Sequence, residues 1–302
     1  MSLINQYKAT HEGYLPIRVL QYNIVFKFEN SNPNFLTEIK KIRSEYGLSS
    51  DIVYGINTSR GVGGKLRGPF VLNDKMEIHL QETFSAYLWC ICCSLIIATY
   101  HVSEPDNQYY RDRKCMGKRI MSYAQSLIRG YHDWDKSKLI NPELYNSRDK
   151  NLVEKTNDLF IHSINFILCH EFCHIKLGHC SKNNHLTNEE RREREIEADI
   201  AAIDILAYGK TSQEFMKESV GITVAICSLL FVRESIANET HPDNDTRIAE
   251  AVSYMQVDEN DTSWLIACIS INLFQELFNL NLIWNQQTSY KELFLHLSSQ
   301  LE

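Results

Sequence analysis

From Asp149 to His179 the chain reads as one uninterrupted helix, and its middle is apolar: Phe160 to Leu168 is FIHSINFIL. A solvent-facing helix would not carry such a stretch, so this one is predicted to lie in the core. It runs directly into His170-Glu171-Phe172-Cys173-His174, an HExxH pattern. Residues four apart on a helix are separated by about 40° of rotation, so both imidazoles reach one cation. Glu171 is rotated by about 100° from His170 and stands beside that cation instead of on it. From there its carboxylate takes a proton from an attacking water and returns it to a leaving amine. The pattern predicts hydrolysis at a Zn2+ site, with peptide bonds as the substrate class.

Two histidines leave zinc one protein ligand short. His179 extends the pattern to HxxxHxxxxH, but continuing the helix puts it about 180° from His170. Gly178 also falls one position late for the glycine turn of HExxHxxGxxH. His179 therefore reads as a helix-end residue favoured by the dipole. The better source is the acidic helix beyond the polar gap from Cys180 to Thr187. There EERREREIEADIAAIDIL, from Glu189 to Leu206, contains Glu197-Ala198-Asp199 followed by Ala201 and Ala202. The small residues permit close helix approach, and Glu197 then completes a His2Glu set with a fourth position open to water. In the alternative register Glu195 is the ligand, and Asp199 one turn later hydrogen-bonds a ligand imidazole. Spacing alone does not choose between them. Glu189, Glu190, Glu193, Arg191, Arg192 and Arg194 read as a solvated face with i,i+4 pairing. Further on, His241-Pro242 opens a loop ahead of another helix. From it His241 can turn toward an oxyanion and Arg247 toward the carboxylate of the ligand glutamate.

Around this centre the remaining 302-residue chain is read as α+β, mainly helical, with a small N-terminal sheet. Residues 1–70 form a small α/β region in this reading, and 71–302 a helical domain with its active-site helix at 151–179 and third-ligand helix at 188–207. Ile17 to Phe28 has strand composition, and a helix is predicted from Leu36 to Tyr46. Ser59 to Gly68 is a glycine-rich break without the spacing of a phosphate loop. Phe70 to Leu80 reads as a hairpin turning near Asn73-Asp74. An apolar helix follows from Thr83 to Tyr100, then a polar stretch over 101–150 with a short helix at Gly117 to Arg129, read as a flap over the site. Further helices are predicted at Ser212 to Arg233, at Thr246 to Met255 and after Asp261-Thr262.

The net charge of −7 gives no general attraction to nucleic acid, so no direct nucleic-acid binding is expected. The nine cysteines lie mostly in apolar helical stretches without the even spacing of a disulfide framework. They are expected to be free thiols in a reducing cytoplasm, and the opening MSLINQYKATHEGYLP lacks the apolar core of a secretion signal. Ala86 to Thr99 and Trp264 to Trp284 read as buried helices, with peripheral membrane association as the lesser alternative.

Three segments together carry a family resemblance: ILCHEFCHIKLGH ending at His179, REIEADIAA at 194–202, and THPDNDTRI at 240–248. They resemble the Lit family of phage-exclusion peptidases, the U49 peptidases, and more broadly a gluzincin arrangement. Met76 to Tyr100 is similar to the Lit segment preceding its variable middle, and the likeness spans roughly residues 70 to 255. It implies His170, His174 and Glu197 as zinc ligands and Glu171 as the catalytic base. Asp199, His241 and Arg247 become supporting residues, with His241 stabilising the transition state. It further implies a cytoplasmic endopeptidase that halts phage propagation by cleaving a host translation component, elongation factor Tu in the family's described case, once a phage product activates it. Two other readings compete: a regulatory metallopeptidase like the ImmA/IrrE proteins, acting on a transcriptional repressor, and a non-catalytic interaction protein stabilised by zinc.

Overall fold

The computed structural model describes residues 14–46, 52–55, 66–72, 76–145, 147–180, 186–233 and 243–301. A 3-10 turn over Pro16–Leu20 leads into α1 (Gln21–Glu29) and α2 (Phe35–Tyr46). Three short strands follow: β1 (Ile52–Gly55), β2 (Phe70–Leu72) and β3 (Glu77–Gln81). The remaining regular elements among the described residues are helices: α3 (Glu82–Ser103), α4 (Gln108–Arg129), α5 (Lys150–Lys176), α6 (Asn188–Ala207) and α7 (Ser212–Cys227). After a 3-10 turn over Ser228–Val232 come α8 (Asn244–Tyr254), α9 (Thr262–Phe278) and α10 (Tyr290–Ser298). This is the mainly helical α+β architecture that the sequence predicts.

Two helices organise it. From Ala86 to Cys93, α3 is apolar and fully buried, as a helix hydrophobic on all sides must be. The other is α5, which packs against α1, α3, α6 and α7. Two polar groups of α3 inside this core bond to its neighbours. The Trp89 indole N–H donates to Asn157 Oδ1 at 2.7 Å, and the Tyr87 hydroxyl donates to the Ser228 carbonyl at 2.6 Å. Gly221 of α7 lets that helix press against the backbone of α5: an added Cβ would lie 2.6 Å from His162 Cβ.

The sheet has the order β1-β3-β2, with β1 parallel and β2 antiparallel to the central β3. Along β3, Ile78 and Leu80 are buried while their neighbours are half-buried, the period of two expected of a strand covered on one face. The predicted β2–β3 hairpin is present, with Val71 opposite Ile78, although the Asn73-Asp74 turn lies outside the described residues. So does most of the Ser59 to Gly68 break.

Two expectations are corrected. Ile17 to Phe28 is helical, because its buried residues Ile17, Leu20, Ile24, Val25 and Phe28 follow a 3.6-residue period. Over 101–150 the polar composition conceals α4, which begins at Gln108 behind an Asn107 N-cap and packs along α3. Its Arg113 is buried against the Asp149 carboxylate. This part of the stretch is therefore a core helix where a surface flap was expected.

All nine cysteines are free, and eight are buried. Burial pushes their thiols up, that of Cys169 to about 12. Among the described residues two segments, Glu82–Ser103 and Ser212–Val232, are long and apolar enough to span a membrane, but 83% and 67% of their apolar windows are buried within the fold.

Candidate metal centre

The centre forms where the end of α5 meets α6. The helix delivers His170 and His174 one turn apart, with His170 Nε2 and His174 Nε2 facing each other at 3.0 Å. Helix α6 is fixed at its start by a capping box, in which Thr187 accepts from the Glu190 amide and the Glu190 carboxylate accepts from the Thr187 amide. Five residues on, Glu195 reaches both imidazoles, with Oε2 3.4 Å from His170 Nε2 and Oε1 3.5 Å from His174 Nε2. These three residues each offer a ligand atom within 4.8 Å of the others.

That donor set fits zinc. Tetrahedral ligands held at about 2.0–2.1 Å from an ion lie about 3.3 Å apart, close to the separations found here. Two imidazoles and one carboxylate are the combination that catalytic zinc sites use, leaving one position open.

The carboxylate that the fold groups with the two histidines is therefore Glu195, where Glu197 was expected. Two residues along a helix turn a side chain by about 200°, so when Glu195 faces the histidines Glu197 faces away. The Glu197 side chain is 63% exposed and meets His179 Nε2 at 3.1 Å. Asp199, one turn after Glu195, is on the buried face as the alternative register requires. Its Oδ1 lies 2.7 Å from His170 Nδ1. Arg247 of α8 holds Asp199 with two bonds, Nε to Oδ2 at 2.5 Å and Nη2 to Oδ1 at 2.7 Å. The same guanidinium is 3.8 Å from Glu195, so it neutralises both carboxylates of α6. Arg247 thus bonds to Asp199 and only approaches the glutamate it was expected to face, while His241 lies outside the described residues.

Electrostatics distinguish the two histidines. Burial opposes charge on His170, but Asp199 overrides it and raises the imidazole to about 10. Burial and the neighbouring His170 lower His174 to about 3. Burial also raises Glu171 to about 7, against the lowering influence of His170. A carboxylate with that value accepts and releases protons near neutrality.

Glu171 lines a 450 Å³ cleft together with His170, Glu195 and Arg247. Phe84, Phe166, Ile226, Leu229 and Val232 supply an apolar wall. Gly68 and Pro69, just ahead of β2, form part of its rim.

Sequence reasoning did not foresee the position of His179, whose Nδ1 lies 3.0 Å from His174 Nδ1. The signal was Gly178. With φ at +74° it ends α5 in a left-handed turn, its own amide bonding to Ile175 O and the His179 amide to His174 O. This Schellman arrangement folds the chain back, so His179 no longer continues the helical rotation.

A family model of peptidase U49 matches residues 78–267, an interval holding the HExxH residues, Glu195, Asp199 and Arg247. No curated protein and no solved structure matches the chain. Matching more than half of its length, and covering every residue of the centre just described, the U49 family of peptidases is the one to which this chain belongs.

Proposed function

We propose that the protein is a cytoplasmic zinc endopeptidase that uses Glu171 as its general base and cuts a host protein in antiphage defence. One observation carries the catalytic half: His170, His174 and Glu195 converge at the edge of a cleft that Glu171 also lines. A bound Zn2+ would supply Lewis acidity toward the scissile carbonyl and acidify a water for attack. The chain's own residues do the rest. Glu171 accepts the proton of the attacking water and passes it to the departing amine. Asp199 orients His170, and Arg247 holds Asp199 in place while offsetting negative charge around the centre. The apolar wall of Phe84, Phe166 and Leu229 excludes water from one side of the bound peptide.

The biological half rests on resemblance to the Lit family. Elongation factor Tu is the proposed substrate, with a phage product as the proposed activator. The decisive experiment compares wild type with E171Q in bacterial cells, with and without phage infection, by mass spectrometry of new protein N-termini. E171Q is expected to retain zinc, measured on the purified protein, while cleavage falls by at least about 100-fold. A single new N-terminus in the elongation factor, present with wild type and missing with E171Q, supports the substrate. Full activity in E171Q would remove Glu171 as the base. A cleaved repressor instead of an elongation factor would favour the regulatory-peptidase alternative.

A further inference from the structure

Outside its ligand set the centre holds a second chain of polar groups. His179 Nδ1 lies 3.0 Å from His174 Nδ1, and His179 Nε2 lies 3.1 Å from Glu197 Oε2. The His179 side chain is 8% exposed, whereas that of Glu197 is 63% exposed. Arg194 donates to the His179 carbonyl at 3.1 Å, fixing the backbone at this point.

Proton positions follow from the geometry. For neutral His174 to offer the Nε2 lone pair to a cation, its proton must sit on Nδ1. That N–H donates, so His179 Nδ1 accepts. The single proton of neutral His179 then sits on Nε2 and donates to the Glu197 carboxylate. Every group in the chain is satisfied in one tautomeric arrangement, and that arrangement presents the correct nitrogen of His174. His170 obtains the same service directly from Asp199 Oδ1 at 2.7 Å.

We infer that His179 and Glu197 are positioning residues: an imidazole and a surface carboxylate that fix the tautomer and orientation of His174, as Asp199 does for His170. This inference rests on the zinc reading above and assigns His179 a role outside the ligand set. Outer partners of metal-binding histidines are commonly carboxylates or carbonyls. Here an inserted imidazole extends the reach of Glu197, which faces away from the centre, back to its second histidine.

The test is Zn2+ affinity, by competition with a chromogenic chelator, on full-length wild type, H174A, H179A, H179N and E197A. H179A is expected to keep stoichiometric zinc at about 10–100-fold weaker affinity. Asparagine places Oδ1 where histidine has Nδ1, so H179N accepts from His174 and recovers most of the loss. E197A, altering only an exposed side chain, is expected to weaken zinc binding several-fold at unchanged Tm. That arm reads the effect without disturbing the core. Wild-type affinity in both H179A and E197A overturns the inference, and so does H179N binding no better than H179A. Complete zinc loss in H179A, matching H174A, would make His179 a ligand and overturns it as well. Wild type that binds no zinc defeats the metal reading itself, a result distinct from these.

Discussion

Glu195 and Glu197 differ by two positions, and on a helix that difference decides which one faces the histidines. Glu195 lies within 3.5 Å of both imidazoles, while Glu197 meets His179. Replacing each by alanine is therefore expected to have unequal effects. E195A should lose zinc, with affinity falling beyond the roughly 10–100-fold expected for an outer hydrogen-bond partner. E197A should remain stoichiometrically loaded. Metal analysis of the two purified variants measures this, and zinc loss in E197A with retention in E195A would reverse the assignment. The HExxH residues were legible because helical geometry dictates their convergence from spacing alone. The carboxylate that joins them was not, since its choice depends on how α6 is rotated against α5, a tertiary quantity. Asp199 held the missing information. It shares a face with Glu195 at i,i+4, and the burial of one implies the orientation of the other.

At the scale of elements, the placement of the centre depends on how closely α7 can support α5 from behind. Gly221 sets that distance. A Cβ there would meet His162 Cβ at 2.6 Å and its carbonyl carbon at 2.9 Å, and backbone cannot move aside as a flexible side chain can. G221A is expected to destabilise the fold by about 1–3 kcal/mol, seen as a lower Tm and a lower denaturant midpoint. A variant as stable as wild type would show that the two helices separate without cost. Elements were otherwise legible where composition and period agreed, as in α3, α6 and α9. They were missed where the two conflicted. The β-branched content of Ile17 to Phe28 suggested a strand, yet Pro16 at the first turn and the buried 17, 20, 24, 28 spacing signalled a helix. In α4 the polar surface masked Tyr110, Arg113, Gly117, Ile120, Ala124 and Leu127, which repeat at alternating intervals of three and four.

At the scale of the molecule, the N-terminal helices and the helical body share one core. Phe28 and Phe35 pack edge-on against Phe172, inside the HExxH segment, and the Leu15 amide donates to Glu82 at 2.8 Å. The ionic part of this union centres on Glu218 of α7. Its carboxylate accepts from Lys27 of α1 at 3.1 Å and from Lys210 at 2.6 Å, and lies 3.8 Å from His162 of α5. Burial alone would raise this carboxyl, but hydrogen bonding from Lys210 and the charges of Lys27 and Lys210 hold it below its ordinary value. A carboxyl lowered in the folded state contributes stability that is fully present above its unfolded value, about 4.3 for glutamate. That contribution is lost as pH falls through the folded value. E218Q removes the charge and keeps the shape, so the Tm difference between wild type and E218Q should shrink as the solution is acidified below about pH 5. Thermal melts of both proteins across that range make the comparison. A difference unchanged at pH 3 would mean that hydrogen-bond geometry, and not the charge on Glu218, joins α1 to the helices that carry the metal centre.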